Sequence, residues 1–339
     1  MKIAVDAMGG DYAPEVVIDG VSQALREYPI IEEFVLVGDE AKLTPLLDRY
    51  KIAGNKRTTY KHTYQVVEMH EASTLALRGK KDSSITVCAD IAKKKEVDAI
   101  VSAGHTGAAV AVSVLRLRTL PGIDRPGIAT VFPTVKGHFT LVDAGANPDA
   151  TPDHLVQYAV MGSVYTRKVL KIDKPRIGLL SNGEEESKGN ELTKATFKKL
   201  KKIGEDNENF NFIGNVEGHD LFSGNVDVVV CDGFVGNVLL KSCESLAKAL
   251  GGILKDRITS TPIRKAGALL SRNAFKEVKK VGDYAEHGGA PLLGINGICI
   301  IGHGGSSAKA VKNAIRVASE CVENQINDTI VNRIKEITD

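Results

Sequence analysis

The chain has 339 residues, 43% of them hydrophobic and 25% charged, with a formal net charge of +2. Such a chain builds a substantial core, and its near-neutral balance excludes a nucleic-acid binder that works through bulk charge. Tryptophan is absent and aromatics make up only 5%, which argues against a stacking platform for single strands.

The first residues, MKIAVDA, read directly as a strand and lack the basic–apolar–small pattern of a signal segment. No apolar run approaches the ~18 residues of a membrane span. The expectation is a cytoplasmic protein, at most peripheral to a membrane. The five cysteines, Cys88, Cys231, Cys243, Cys299 and Cys321, include no C-x-x-C pair. They read as reduced thiols, with no metal site.

Taken in chain order, apolar runs predict strands over 2–6, 34–38, 58–64, 98–102, 128–132, 139–143, 176–181, 211–216, 226–231 and 297–302. Helical spacing fills 14–26, 40–49, 70–79, 82–95, 105–117, 152–169, 190–203, 236–254, 263–280, 305–324 and 325–337. Asp39 caps one helix, Thr151-Pro152 opens another, and Ser306 or Ser307 caps the last long one. The runs 98–102 and 226–231 are apolar on both faces and suit central strands. The two runs within 128–143, separated by PTVKGH, read as an antiparallel hairpin. The rhythm continues without a linker, so 1–339 reads as a single α/β catalytic domain whose sheet is mostly parallel.

Several strands end in a polar, glycine-rich turn. These are VDAMGGD (5–11), IVSAGHTGAA (100–109), LVDAGANPD (141–149), IGLLSNGEEESKGN (177–190), VVVCDGFVGN (228–237) and CIIGHGGSSAK (299–309). Ligands of open α/β sheets bind beyond the carboxyl ends of the strands. Glycines admit close backbone approach, and helix N-termini offer free N–H groups to an anion. The turns are therefore expected to line one crevice for a target of phosphate or carboxylate size. No dinucleotide fingerprint, phosphate-binding P-loop, G-x-S-x-G elbow or H-E-x-x-H is present.

Within those turns, Ser102, Gly104, Thr106, Gly107, Gly304, Gly305 and Ser306 are candidate phosphate-binding residues. His105 and His303 are candidate proton carriers or donors to an oxyanion; a helix cap is the plain alternative for His105. Asn182, Lys188 and Asn237 are the remaining candidate catalytic residues, with Lys309 a second source of positive charge. A thiolate nucleophile at Cys231 is conceivable, but a core cysteine is the simpler reading.

Residues 254–281 break the rhythm. They carry eight lysines and arginines against Asp256 and Glu277. Ile263, Ala266, Leu270, Phe275 and Val278 recur at helical spacing among them. This basic amphipathic helical excursion admits three readings: a solvated face, a membrane-surface helix, or a dock for an acidic partner.

The strings VDAMGGDYAP, SAGHTGA, DAGAN, LLSNGEEESKGN, CDGFVGN and GGAPLLGINGICIIGHGGSSAKA, in this order, resemble the bacterial phosphate acyltransferases of phospholipid synthesis. The resemblance runs from residue 3 to about residue 316. It implies a three-layer αβα sandwich akin to isopropylmalate dehydrogenases and phosphotransacetylases, working as a homodimer. It implies transfer of a fatty acyl group from acyl carrier protein to inorganic phosphate, with no cofactor. The acyl phosphate would pass to a glycerol-3-phosphate acyltransferase, and 254–281 would attach the enzyme to the membrane surface. Two other functions compete: a phosphotransacetylase-like enzyme using acyl-CoA, and a non-catalytic acyl- or lipid-binding regulator. The polar turns disfavour the regulator, because a lipid binder needs an apolar cavity.

Overall fold

The computed structural model describes residues 1–68, 71, 79–281, 286 and 288–338. The helix expected over 70–79 falls almost wholly outside them. The chain begins β1 (Lys2–Asp6), α1 (Glu15–Glu27), β2 (Glu33–Gly38), α2 (Glu40–Arg49), β3 (Thr58–His62), α3 (Ser84–Lys93), β4 (Ala99–Ser102) and α4 (Thr106–Leu117). It continues through β5 (Gly127–Thr134), β6 (Gly137–Val142), α5 (Pro152–Lys168), β7 (Ile177–Leu180), α6 (Glu191–Asp206), β8 (Phe212–Val216) and β9 (Val228–Val230). Three consecutive helices follow: α7 (Gly233–Ile258), α8 (Pro262–Leu270) and α9 (Arg272–Val281). The chain then returns through β10 (Ala290–Leu293) and β11 (Ile298–Ile301) to α10 (Ala308–Glu323) and α11 (Ile326–Thr338).

The strands form one sheet in the order β3-β2-β1-β4-β11-β10-β5-β6-β9-β7-β8. Every residue of β4 and of β9 is buried, and both strands lie inside the sheet, as their apolar runs predict. Strand alternation feeds two cores, one on each face. Ile3, Val5 and Val101 meet Ile18 of α1 and Ile315 of α10 on one side. Ala4 and Ile100 meet Cys88 of α3 and Val112 of α4 on the other. Helices on both faces of a mostly parallel sheet give the three-layer α/β architecture.

The hairpin expected over 128–143 is the antiparallel pair β5–β6, in which Phe132 and Phe139 stack with ring centroids 5.1 Å apart. One strand escaped the sequence. β10 is four residues long, contains Pro291, and changes partner halfway: Ala290 and Pro291 pair with β11, Leu292 and Leu293 with β5. It joins two parallel blocks, β3-β2-β1-β4-β11 and β6-β9-β7-β8. The ladder reverses at β11/β10, β10/β5 and β5/β6, so the blocks run in opposite senses along it.

The expected single row of carboxyl ends is therefore two rows. Sheet twist of roughly 20–25° per step turns one block against the other by about a right angle between β11 and β9. Two contacts show how the blocks face. Lys171, after α5, donates to Asn324 Oδ1, after α10, at 2.9 Å, which ties the ends away from the turns. At the other side α7 leaves the second block's turn and reaches the first block's turn at Glu244.

The helix ends follow their sequence signals. Asp39 caps α2 through Ala41 N, and Thr151 forms a capping box with His154 ahead of Pro152. Ser307, rather than Ser306, caps α10. The one helix expected over 263–280 is two, because Ser271 leaves helical geometry (φ −90°, ψ 9°). Thr261 and Pro262 open α8, a cap-and-proline signal that the sequence reading passed over. No helix of the described residues is long and apolar enough to cross a membrane.

Candidate active site

The turns after β1, β4 and β11 interlock. Asp6, 3% exposed at the end of β1, accepts the Ser102 hydroxyl at 2.7 Å and Met8 N–H at 3.2 Å. Ser102 Oγ in turn accepts Gly104 N–H at 3.2 Å. Gly302 N donates to Ser102 O at 2.7 Å and Asp11 N to Gly304 O at 2.8 Å. A Cβ on Gly9 would lie 2.6 Å from Asp6 Oδ2 and 2.7 Å from Gly104 N, so only glycine fits between the first two turns. Burial pushes the Asp6 carboxyl above its ordinary value, against the pull of its Ser102, Ser84 and backbone hydrogen bonds.

Two imidazoles stand on this cluster in the same way. His105 Nδ1 accepts Ala108 N–H at 3.1 Å and so caps α4. His303 Nδ1 accepts Gly305 N–H at 3.1 Å. An accepting Nδ1 puts the proton of the neutral ring on Nε2. Each neutral ring thus carries its proton on Nε2, and His303 Nε2 lies 4.0 Å from Glu244 Oε2. Thr106 is exposed in the first turn of α4, followed by half-buried Gly107. Free N–H groups of that turn, beside glycine backbone, suit an anion.

A second cluster follows β6 and β9. Asp143 is fully buried, and its carboxylate accepts four backbone N–H groups, from Ile128, Gly145 and Ala146 on Oδ1 and from Asn147 on Oδ2. Asp232 caps α7 through Val235 N at 2.9 Å. A Cβ on Gly236 would fall 1.8 Å from Asp143 O, so α7 can start against this turn only with glycine there. Exposed Asn237 packs over Gly145. Cys231 is buried, its thiol donates to Asp143 O at 3.7 Å, and burial pushes its pKa well up. That is the opposite of an activated nucleophile.

The third turn, 181–190, closes on itself. Asn182 Oδ1 accepts Gly189 N–H at 2.8 Å, which leaves its amide nitrogen outward, and the exposed Lys188 folds its stem over buried Gly183. Asn215 Nδ2 holds Glu185 O at 3.0 Å from β8. At the surface of this turn Glu184, His219 and Asp220 bring three possible metal-ligand atoms within 4.8 Å of one another. From the second cluster, α7 carries Glu244 about 10 Å beyond Asn237 at 1.5 Å per residue, up to His303.

A family model described as "Fatty acid synthesis protein" matches residues 1–329. A phosphate acyltransferase of Geotalea uraniireducens (strain Rf4) is 51% identical over 336 residues, 99% of this chain and 95% of that one. A phosphate acyltransferase of Desulfitobacterium hafniense (strain DSM 10664 / DCB-2) is 50% identical over 339 residues, 100% of this chain and 99% of that one.

The chain belongs to the phosphate acyltransferase family.

It is accordingly an enzyme of acyl transfer to phosphate. Among solved structures, a phosphotransacetylase from Streptococcus pyogenes is similar with a TM-score of 0.63 at 18% identity, covering 95% of this chain and 94% of that one. The EutD phosphotransacetylase from Staphylococcus aureus gives 0.60 at 16%, with the same coverage. At such identities the likeness concerns the fold, which agrees with the architecture expected from the sequence.

For a member of this family, the geometry sorts the candidate residues. Gly104, His105, Thr106, Gly107, His303, Gly304 and Gly305 gather in one cluster. Ser102 and Ser306 belong to it but are buried with their hydroxyls engaged, Ser102 by Asp6 and Ser306 by His303 O at 2.6 Å. Lys309 is paired with Glu286 at 2.6 Å. Asn237 lies in the second cluster, and Asn182 and Lys188 in the third. Sequence reasoning missed Asp6, Asp143 and Glu244. For the two aspartates a partial signal was present: Val-Asp-Ala stands at a strand end with a glycine close behind at 5–7 and 142–144, whereas the same triplet at 97–99 leads into the start of β4.

Proposed function

We propose that the acyl donor is a fatty acyl thioester carried on acyl carrier protein, and that the acyl phosphate formed feeds phospholipid synthesis. The observation that carries the reading is the glycine-lined first cluster, where two Nε2–H donors stand beside a helix N-terminus. A phosphate oxygen attacks the thioester carbonyl, and the tetrahedral oxyanion collapses with loss of the thiolate. The proton of hydrogen phosphate ends on that thiolate, giving acyl phosphate and the free carrier thiol. The thioester is already activated, so no covalent enzyme intermediate is required. Holding both reactants is worth up to ~7–11 kcal/mol in favourable cases, and an oxyanion donor ~2.7–4 kcal/mol.

In this reading the backbone of Gly107 and Gly304, with the Thr106 hydroxyl, takes the phosphate, while Gly104 and Gly305, whose N–H groups are donated to Ser102 Oγ and His303 Nδ1, shape the loops. Ser102 and Ser306 position those loops rather than touch it. His105 and His303 donate through Nε2 to the oxyanion or the leaving thiolate, Lys188 offsets charge, and Asn182 and Asn237 orient the carbonyl. Phosphate-dependent release of free thiol from a long-chain acyl carrier protein tests the reading. Turnover with acyl-CoA and none with the carrier overturns the donor, and acyl binding without a phosphate-dependent product overturns the chemistry. Near-normal turnover of Lys188→Ala removes that residue.

The chain acts on this reading as a cytoplasmic homodimer that touches a membrane surface. Leu246, Leu250 and Ile253 on α7 are exposed, as are Ile263, Leu269 and Leu270 on α8. On α8 they accompany Arg264 and Lys265, a pairing of hydrocarbon with cations that suits an anionic lipid surface. Charge reversal of Arg264 and Lys265, read by vesicle flotation, tests the contact; sedimentation tests the dimer.

A further inference from the structure

The helix that follows the third turn carries an unusual arrangement of charge. α6 holds five lysines. Lys199 pairs with Asp153 at 2.8 Å and Lys201 with Glu186 at 2.5 Å. The other three, Lys194, Lys198 and Lys202, recur every fourth residue, and so form a stripe along one face. All three are exposed, and none has an ion pair among the described residues. Like charges at this spacing disfavour a helix; Glu191 and Asp206 stand three and four residues from the end members Lys194 and Lys202, but no acidic residue of α6 is at helical spacing from Lys198.

The stripe starts at the second turn of α6 and spans about 12 Å at 1.5 Å per residue. Asn190, which caps α6, is also the last residue of the 181–190 turn. The helix lies at the β7–β8 edge of the sheet, with its apolar residues Phe197 and Leu200 turned into the core. No large apolar side chain of α6 is exposed. In this it differs from α8, where cations accompany exposed Ile263 and Leu270. A membrane takes hydrocarbon together with charge, whereas a row of bare lysines matches carboxylates at fixed positions on a protein surface.

We infer that Lys194, Lys198 and Lys202 form the docking face for the acidic carrier protein that brings the acyl thioester, delivering its prosthetic arm past the 181–190 turn. The inference rests on the carrier-bound donor proposed above and separates two basic surfaces: α6 for the protein, α8–α9 for lipid.

The test is the triple charge reversal K194E/K198E/K202E, assayed with one acyl chain on two carriers: acyl carrier protein and the uncharged N-acetylcysteamine thioester. Electrostatic steering changes association rates by ~10–10³-fold. kcat/KM for the carrier-bound substrate should fall at least tenfold, with kcat at saturation little changed, and the deficit should shrink in high salt. Kinetics with the small thioester should match the parent, which also shows that the variant is folded and active. K194R/K198R/K202R should restore carrier turnover.

Equal losses on both substrates, or none on either, overturn the docking face. So does a variant that loses binding to anionic vesicles while keeping carrier turnover. If the parent enzyme turns over the small thioester but never the carrier-bound one, the donor assignment falls first, and the docking face with it.

Discussion

Ser102→Ala separates a hydroxyl that binds phosphate from one that builds the site. Its Oγ donates to the buried Asp6 carboxyl at 2.7 Å and accepts Gly104 N–H at 3.2 Å. A hydrogen bond to a charged group contributes ~1.5–3 kcal/mol and a neutral one ~0.5–1.5. The substitution should therefore cost about 2–4 kcal/mol of stability, read as a shift in urea midpoint at constant slope. Combining it with Asp6→Asn should give a coupling energy well above the ~0.5 kcal/mol scatter of independent sites.

Acidity adds a second readout. Burial raises Asp6 above its ordinary value of 3.8, so the folded chain holds this proton to a higher pH than the unfolded chain does. The stability this brings is full below the unfolded value and is lost as pH climbs through the raised folded value. Removing the Ser102 donor leaves the ionised form worse solvated and should move that loss to higher pH. Unchanged stability together with a selective rise in KM for phosphate would refute the reasoning and return Ser102 to the ligand set.

Three further outcomes follow from the same geometry. His105→Asn keeps a side-chain cap on α4, so stability should hold within ~1 kcal/mol while kcat falls ~10²–10³-fold if Nε2–H serves the oxyanion; equal turnover by the two proteins removes His105 from the chemistry. Gly236→Ala drives a Cβ to 1.8 Å from Asp143 O and should cost at least the top of the ~1–3 kcal/mol overpacking range. Gly251→Ala, in the same helix with nothing within 4 Å, should stabilise by ~0.5–1 kcal/mol, and thermal melts of the pair check both signs. Cys88, Cys231, Cys299 and Cys321 are buried with raised thiol pKa values, Cys299 pushed up to about 11. A native thiol titration near neutral pH should therefore reach half-buried Cys243 alone, with Cys231→Ala keeping its turnover.

Much of the scaffold was legible because it rests on local physics. Apolar runs such as 98–102 and 226–231 had to be covered on both faces, and Thr151-Pro152 could only open a helix. The order of strands was not legible, since the pairing of β4 with β11, far apart in the chain, is set by packing across the whole molecule. β10 was hidden by its length and by Pro291, which reads as a breaker. At the site, the turns were visible as glycine clusters, but the division of labour within them was not. Ser102 and Thr106 look alike as hydroxyls beside glycine; only burial shows that one is spent on Asp6 and the other faces outward. Asp6 and Asp143 look like ordinary turn residues until the donors that converge on them are seen, the Ser102 hydroxyl and Met8 N–H on Asp6 and four backbone N–H groups on Asp143. The opposite sense of the two blocks, which makes two rows of turns out of one expected row, has no local signature at all.

The chain leaves the β1–β4 sheet after α4, builds β5 to β9, and only then supplies β11 beside β4 and α10 against α1. During synthesis the earliest strands to leave the ribosome must therefore wait, with β4 as a raw edge, until nearly all of the chain has been made. Exposed edges of apolar strands invite pairing with other chains. The nascent protein is most vulnerable to aggregation in that interval, and a truncation that stops short of residue 298 should leave the open edge behind.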